Sequence, residues 1–186
     1  MLDERGLVRR GNTAYAAALA LTMAADPAAA DWFRRAAAAW RESWELGAAP
    51  DAWGRPIGVL KAVLLAGDDP DPAAGWTLEL GAADASSPIG RYAAVLALLA
   101  LGRRVEAGRL ADTLEELPAD VAAALAAVAA GDVEAYGEAI DSVVASFESR
   151  DAYLEDVAVA DTALVLDRLA RGNGVVRALP PSDVLP

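Results

Sequence analysis

The sequence predicts an all-α protein of stacked antiparallel helical hairpins: about nine helices in a tetratricopeptide-like or solenoid-like arrangement, followed by an extended proline-rich C-terminal tail. Three observations carry this. Apolar residues recur at helical spacing, most plainly between Asp132 and Glu148, where Val133, Tyr136, Ile140, Val143, Val144 and Phe147 share one face. Prolines and glycines punctuate the chain as starts and stops. β-Branched residues are few and no apolar–polar alternation persists, so strands have little to be made from.

The elements follow in order. Helices are expected over 12–25, 27–46, 56–66, 72–83, 88–101, 104–116, 118–130, 132–149 and 154–171. Asp26-Pro27, Ser87-Pro88 and Leu117-Pro118 place helix starts, with proline in the first turn. Gly47, Gly67, Gly102, Gly131 and Gly172 stand where left-handed C-terminal caps are expected. In the second helix Trp32, Trp40 and Trp44 fall on one flank. They form either a stripe packed on the neighbouring hairpin or an exposed aromatic anchor for a partner. The segment Leu46 to Ile57 reads as an exposed loop, with Trp53-Gly54-Arg55 braced by Pro50 and Pro56. Asp68 to Pro72 reads as a rigid turn whose spacing does not suit a calcium loop. Asp161 interrupts the apolar run of Val157, Val159, Leu164 and Leu166, and is expected to cap a helix from Thr162 or to pair with an arginine. From Arg177 the tail cannot be helical past Leu179, because Pro180 and Pro181 forbid it.

The length of 186 residues suits one domain, 1–186. An internal repeat divides it further: YAAALAL from Tyr15 to Leu21 returns as YAAVLAL from Tyr92 to Leu98. The same register carries Asp26 onto Arg103, which points to two duplicated halves, 12–86 and 87–150, with the tail at 177–186. The repeat also counts against reading Ala14 to Ala25 as a cleaved leader, as do the acidic Asp3 and Glu4.

Composition narrows function. The chain has neither Cys nor His, which removes disulfides, thiol chemistry and imidazole as base or ligand. No metal or cofactor site is expected, and no residue pattern spells out a catalytic group. A net charge of −12 argues against nucleic-acid binding and against docking on anionic lipid, and favours a basic protein partner. Lys61 is the only lysine. No run of about 20 apolar residues exists, so the expectation is a cytoplasmic protein without a membrane span.

From Gly131 the residues read GDVEAYGEAIDSVVASF, then ESRDAYLED, then VAVADTALVLDRLARGNG, then VVRALPPSDVLP. This order is similar to the end of the immunity protein 49 family of bacterial polymorphic-toxin systems. The segment ADWFRRAAAAWRESWELGAA, Ala30 to Ala49, resembles that family's early Trp-containing helix. Together these cover about half the chain. Asp161-Thr162 stands where the family's final helix starts at Gly-Pro. A generic tetratricopeptide-like protein shares only fragments of pattern, at Gly131, Ala135 and Ala139.

The resemblance implies a non-enzymatic protein that neutralises a cognate toxin domain by occlusion. The partner-binding residues expected from loop position and charge, not from the family, are Trp53 and Arg55 as anchors and Glu134, Glu138 and Asp141 for steering. Two rivals remain: a small-molecule sensor with a groove lined by Trp32, Trp40, Tyr92 and Tyr136, and a self-assembling scaffold subunit.

Overall fold

The computed structural model describes residues 2–114 and 117–186. Among these the protein is all-helical, with nine α-helices, two 3₁₀ turns and no strand. The α-helices are α1 (Glu4–Met23), α2 (Ala29–Glu45), α3 (Gly54–Ala66), α4 (Asp71–Glu79), α5 (Pro88–Ala100), α6 (Arg104–Ala111), α7 (Ala119–Ala130), α8 (Val133–Glu148) and α9 (Asp161–Gly172). The 3₁₀ turns are Ala82–Asp84 and Leu154–Asp156.

Every expected helix exists, and the differences lie at the ends. The first begins at Glu4 rather than at residue 12, because Asp3 caps it: its Oδ1 accepts from Gly6 N at 2.7 Å. The second begins at Ala29, since Asp26 turns its carboxylate onto Ala28 N and leaves Pro27 outside the helix. The fourth stops at Glu79, where Gly81 takes a left-handed conformation and a 3₁₀ turn follows. The sixth ends at Ala111, and the last two residues of its expected span lie outside the described residues. The ninth starts at Asp161, leaving 154–156 as a separate 3₁₀ turn. After α9 the left-handed residue is Gly174, not Gly172. Ser87-Pro88 behaves as its sequence implies, with Ser87 Oγ accepting from Ile89 N and Pro88 in the first turn.

Consecutive helices pack on one another along the chain, most extensively α1 on α2, α2 on α3 and α7 on α8. The final helix departs from nearest-neighbour contact: α9 touches α3, α5, α7 and α8. Its amphipathic sequence explains why, since Ala163, Val165, Leu166, Leu169 and Ala170 are all buried. From Val175 to Pro186 the chain forms no helix. Val184 and Leu185 are buried, Val184 O accepts from Ala160 N at 2.9 Å, and Ser182 Oγ donates to Glu148 at 2.6 Å.

The two copies of the internal repeat end their helices in the same way. Asp26 N donates to Leu21 O at 2.9 Å behind a left-handed Ala25, as Arg103 N donates to Leu98 O at 2.8 Å behind a left-handed Gly102. Alanine at φ 53° carries a steric cost that glycine avoids. The Ala25→Gly variant is therefore expected to be more stable by about 0.5 kcal/mol, once the greater freedom of glycine in the unfolded chain is subtracted. A higher urea midpoint at unchanged slope is the readout.

Candidate functional site

Two regions carry polar groups in arrangements beyond simple solvation: a cleft bounded by α1, α2, α3 and the start of α9, and the outer face of α8.

The cleft is set by where Trp40 lies. Its indole packs between α1 and α3, at Gly11 and Gly58. A Cβ at Gly11 would stand 2.5 Å from Trp40 Nε1, and one at Gly58 would stand 2.7 Å from its Cε3. Only hydrogen at both positions lets the ring lie there. Trp40 Nε1 donates to Asn12 Oδ1 at 3.1 Å, and the ring packs against Tyr15 with centroids 5.4 Å apart. Beside it opens a cavity of about 430 Å³ whose walls are mostly apolar, with Tyr15, Asn12, Arg55, Lys61 and Asp161 converging on it.

Lys61 from α3 and Asp161 from α9 form the polar floor. Lys61 Nζ donates to Asp161 Oδ2 at 2.9 Å and to Thr162 Oγ1 at 3.1 Å, while the Tyr15 hydroxyl donates to the same Oδ2 at 3.0 Å. The side chains of Lys61 and Asp161 are only 14 % and 18 % exposed. Burial pushes the Asp161 carboxyl upward, but the Lys61 ammonium and the hydrogen bonds from Lys61 and Tyr15 outweigh it and hold the group below its ordinary range. Burial likewise pushes Lys61 downward, and the facing carboxylate overcomes this and holds the ammonium above its usual value. Tyr15 is pushed well up by burial and then by Asp161, and Tyr92 is pushed up by burial against the pull of Lys61. All four groups are thus locked away from neutral titration. None of the four is poised to take up or release a proton at neutral pH.

Arg55 lies at the rim. Its Nη2 pairs with Glu4, while Nε and Nη1 are out of solvent with no hydrogen-bond partner. Burial pushes its guanidinium below the ordinary arginine value.

These positions correct several expectations. Trp53 is not displayed on a loop: it is 6 % exposed, packs with Ala82, Ala93 and Ala94, and faces Trp44 with centroids 6.0 Å apart. The proline-braced stretch is the lead-in to α3, whose first turn Pro56 preorganises, so Trp53 turns inward. Arg55 is a helical residue engaged by Glu4, not a free anchor. Asp161 pairs with a lysine rather than an arginine, and α9 begins at Asp161 itself. Trp40 lies in the core, half-buried Trp32 packs against it, and Trp44 packs on Trp53 and Trp76, so the stripe faces neighbouring helices. Of the four aromatics expected to line a groove, only Trp40 lines the cleft. Asp68, in the aspartate-rich turn, is held by Arg34 at 2.8 Å.

On α8, Glu134, Glu138 and Asp141 are exposed, as the periodicity implies. Asp141 receives Arg177 Nη2 at 3.3 Å, and that guanidinium lies over Gly137. Among the described residues Glu134 and Glu138 have no cation within ion-pair distance.

Among the described residues no helix is long and apolar enough to cross a membrane, and no cluster of three or more potential metal-ligating side chains occurs. No family model, curated protein or solved structure matches the chain.

Proposed function

We propose that the chain is a non-enzymatic protein-binding domain of stacked helical hairpins, an immunity protein of the kind implied by its resemblance to the immunity protein 49 family, which neutralises a basic toxin domain by covering it. The observation that supports this best is the α8 face. Glu134 and Glu138 stand one turn apart, exposed and without an intramolecular cation among the described residues, on a chain of net charge −12. Carboxylates left free in this way raise the potential that a basic partner feels during encounter. Asp141 contributes less, because Arg177 already neutralises it. With Trp53 buried, aromatic anchoring at that position is not part of the reading.

The test is association with a basic partner encoded beside this chain. Reversing charge in the Glu134→Arg/Glu138→Arg variant is expected to lower the association rate about tenfold at low salt and to flatten its salt dependence, with a smaller change in dissociation. Both substitutions lie on the solvent side of α8, so the helical circular dichroism spectrum should be retained. An unchanged association rate removes this face from the interface.

A further inference from the structure

We propose that the cleft between α1, α2 and α3 is a binding site for a small apolar molecule carrying an oxyanion, a carboxylate or phosphate group that docks on Arg55 while its apolar body lies against Trp40. This site is separate from the α8 face and does not depend on the toxin-neutralising reading.

Three observations carry it. The cavity, at about 430 Å³, falls in the size range of small-molecule sites and combines mostly apolar walls with a few convergent polar groups. The hydrogen-bonding capacity left over around it is donor-rich. Arg55 keeps two nitrogens out of water with no acceptor, and Lys61 has used only two of its three N–H groups. Glu4 takes Nη2 of Arg55, but the two buried N–H groups at Nε and Nη1 are costly to leave without an acceptor, and a ligand oxyanion supplies what is missing. Acceptors are largely committed: Asp161 Oδ2 takes both Lys61 and Tyr15, and Asn12 Oδ1 takes Trp40. An oxyanion therefore fits where a cation or a donor-rich ligand does not. The overall charge of −12 does not forbid this, because screening over about 8 Å at physiological salt leaves the nearest groups to decide.

The floor of the cleft is also preorganised. Lys61 and Asp161 hold each other in place, and Trp40 is wedged at Gly11 and Gly58, so ordering on binding is confined to the rim.

The experiment titrates the full chain with sodium 2-naphthoate, 2-naphthyl phosphate and the neutral isostere 2-naphthamide. Calorimetry gives affinity, and the Trp40 indole N–H resonance reports the site. The two anions are expected to saturate and to move that resonance, with 2-naphthamide at least tenfold weaker. Arg55→Met should reduce the anions to the level of the amide and leave the amide unchanged. Val8→Trp, which disturbs no ion pair and fills the cleft from α1, should abolish binding of all three. Tighter binding of the naphthoate assigns a carboxylate ligand, and tighter binding of the phosphate ester assigns a phosphorylated one. Absence of saturation by either anion, equal affinity for anion and amide, or full binding by folded Arg55→Met or Val8→Trp overturns the proposal.

Discussion

Asp161→Ala is expected to destabilise the protein by about 3 kcal/mol at neutral pH, because it strands the Lys61 ammonium in a largely buried site. The loss includes the Tyr15 hydroxyl, which has no other acceptor there. The pH dependence separates this cause from simple loss of packing. In the native protein the Asp161 carboxyl sits below its unfolded value, so its contribution is present above the unfolded pKa and fades as pH falls through the folded one. Lys61 sits above its unfolded value, so its contribution is present below the unfolded pKa and is lost as pH rises through the folded one. In Asp161→Ala, burial is the largest influence left on Lys61, with Tyr92 and Arg150 acting in opposite directions, and the sign reverses: the folded state then favours the neutral amine, and stability rises with pH. Urea midpoints of the two proteins should therefore lie furthest apart near neutrality and converge towards pH 10. Parallel curves would mean that the pair is not the source.

Trp40→Ala is the second large effect, at about 3–5 kcal/mol. The indole is 6 % exposed, contacts Tyr15, and occupies the space that Gly11 and Gly58 leave open. Removing it enlarges the adjacent cleft and leaves Asn12 Oδ1 without its donor. Access of water to the cleft places the expected value near the lower end. The wedge predicts a specific coupling. Gly58→Ala should cost about 1–3 kcal/mol in the native background, since its Cβ meets the indole at 2.7 Å, and far less when Trp40 is already alanine. Additive losses in the double variant would show that the ring does not limit the approach of α3.

The number and order of helices were legible because periodicity and punctuation are local signals. Their ends were less so. Asp3 and Asp26 each chose a nearby backbone N–H, moving one helix start upstream and another downstream, and which N–H wins depends on backbone geometry that spacing does not fix. The acidic face of α8 was legible for the same reason as the helix, since one period sets both. The cleft was not. Its polar floor joins α3 to α9, and the sequence marks it only as two isolated charges in apolar runs: Lys61 within IGVLKAVLLA and Asp161 after VAVA. Each is costly to bury alone, so together they predict each other. Trp53 misled because flanking prolines brace a loop and a helix start alike. The deciding factor was the small residues Ala82, Gly90, Ala93 and Ala94, distant in sequence, which open a pocket for the indole.

That the sole lysine is tied down has a practical side. Side-chain amine chemistry, whether acylation by an activated ester, cross-linking or enzymatic acetylation, meets a single lysine, and that amine is protonated and engaged by the Asp161 carboxylate and the Thr162 hydroxyl. Modification at Lys61 requires the amine to release Asp161 and lose its proton, so it is expected to be slower than at a solvent-exposed lysine.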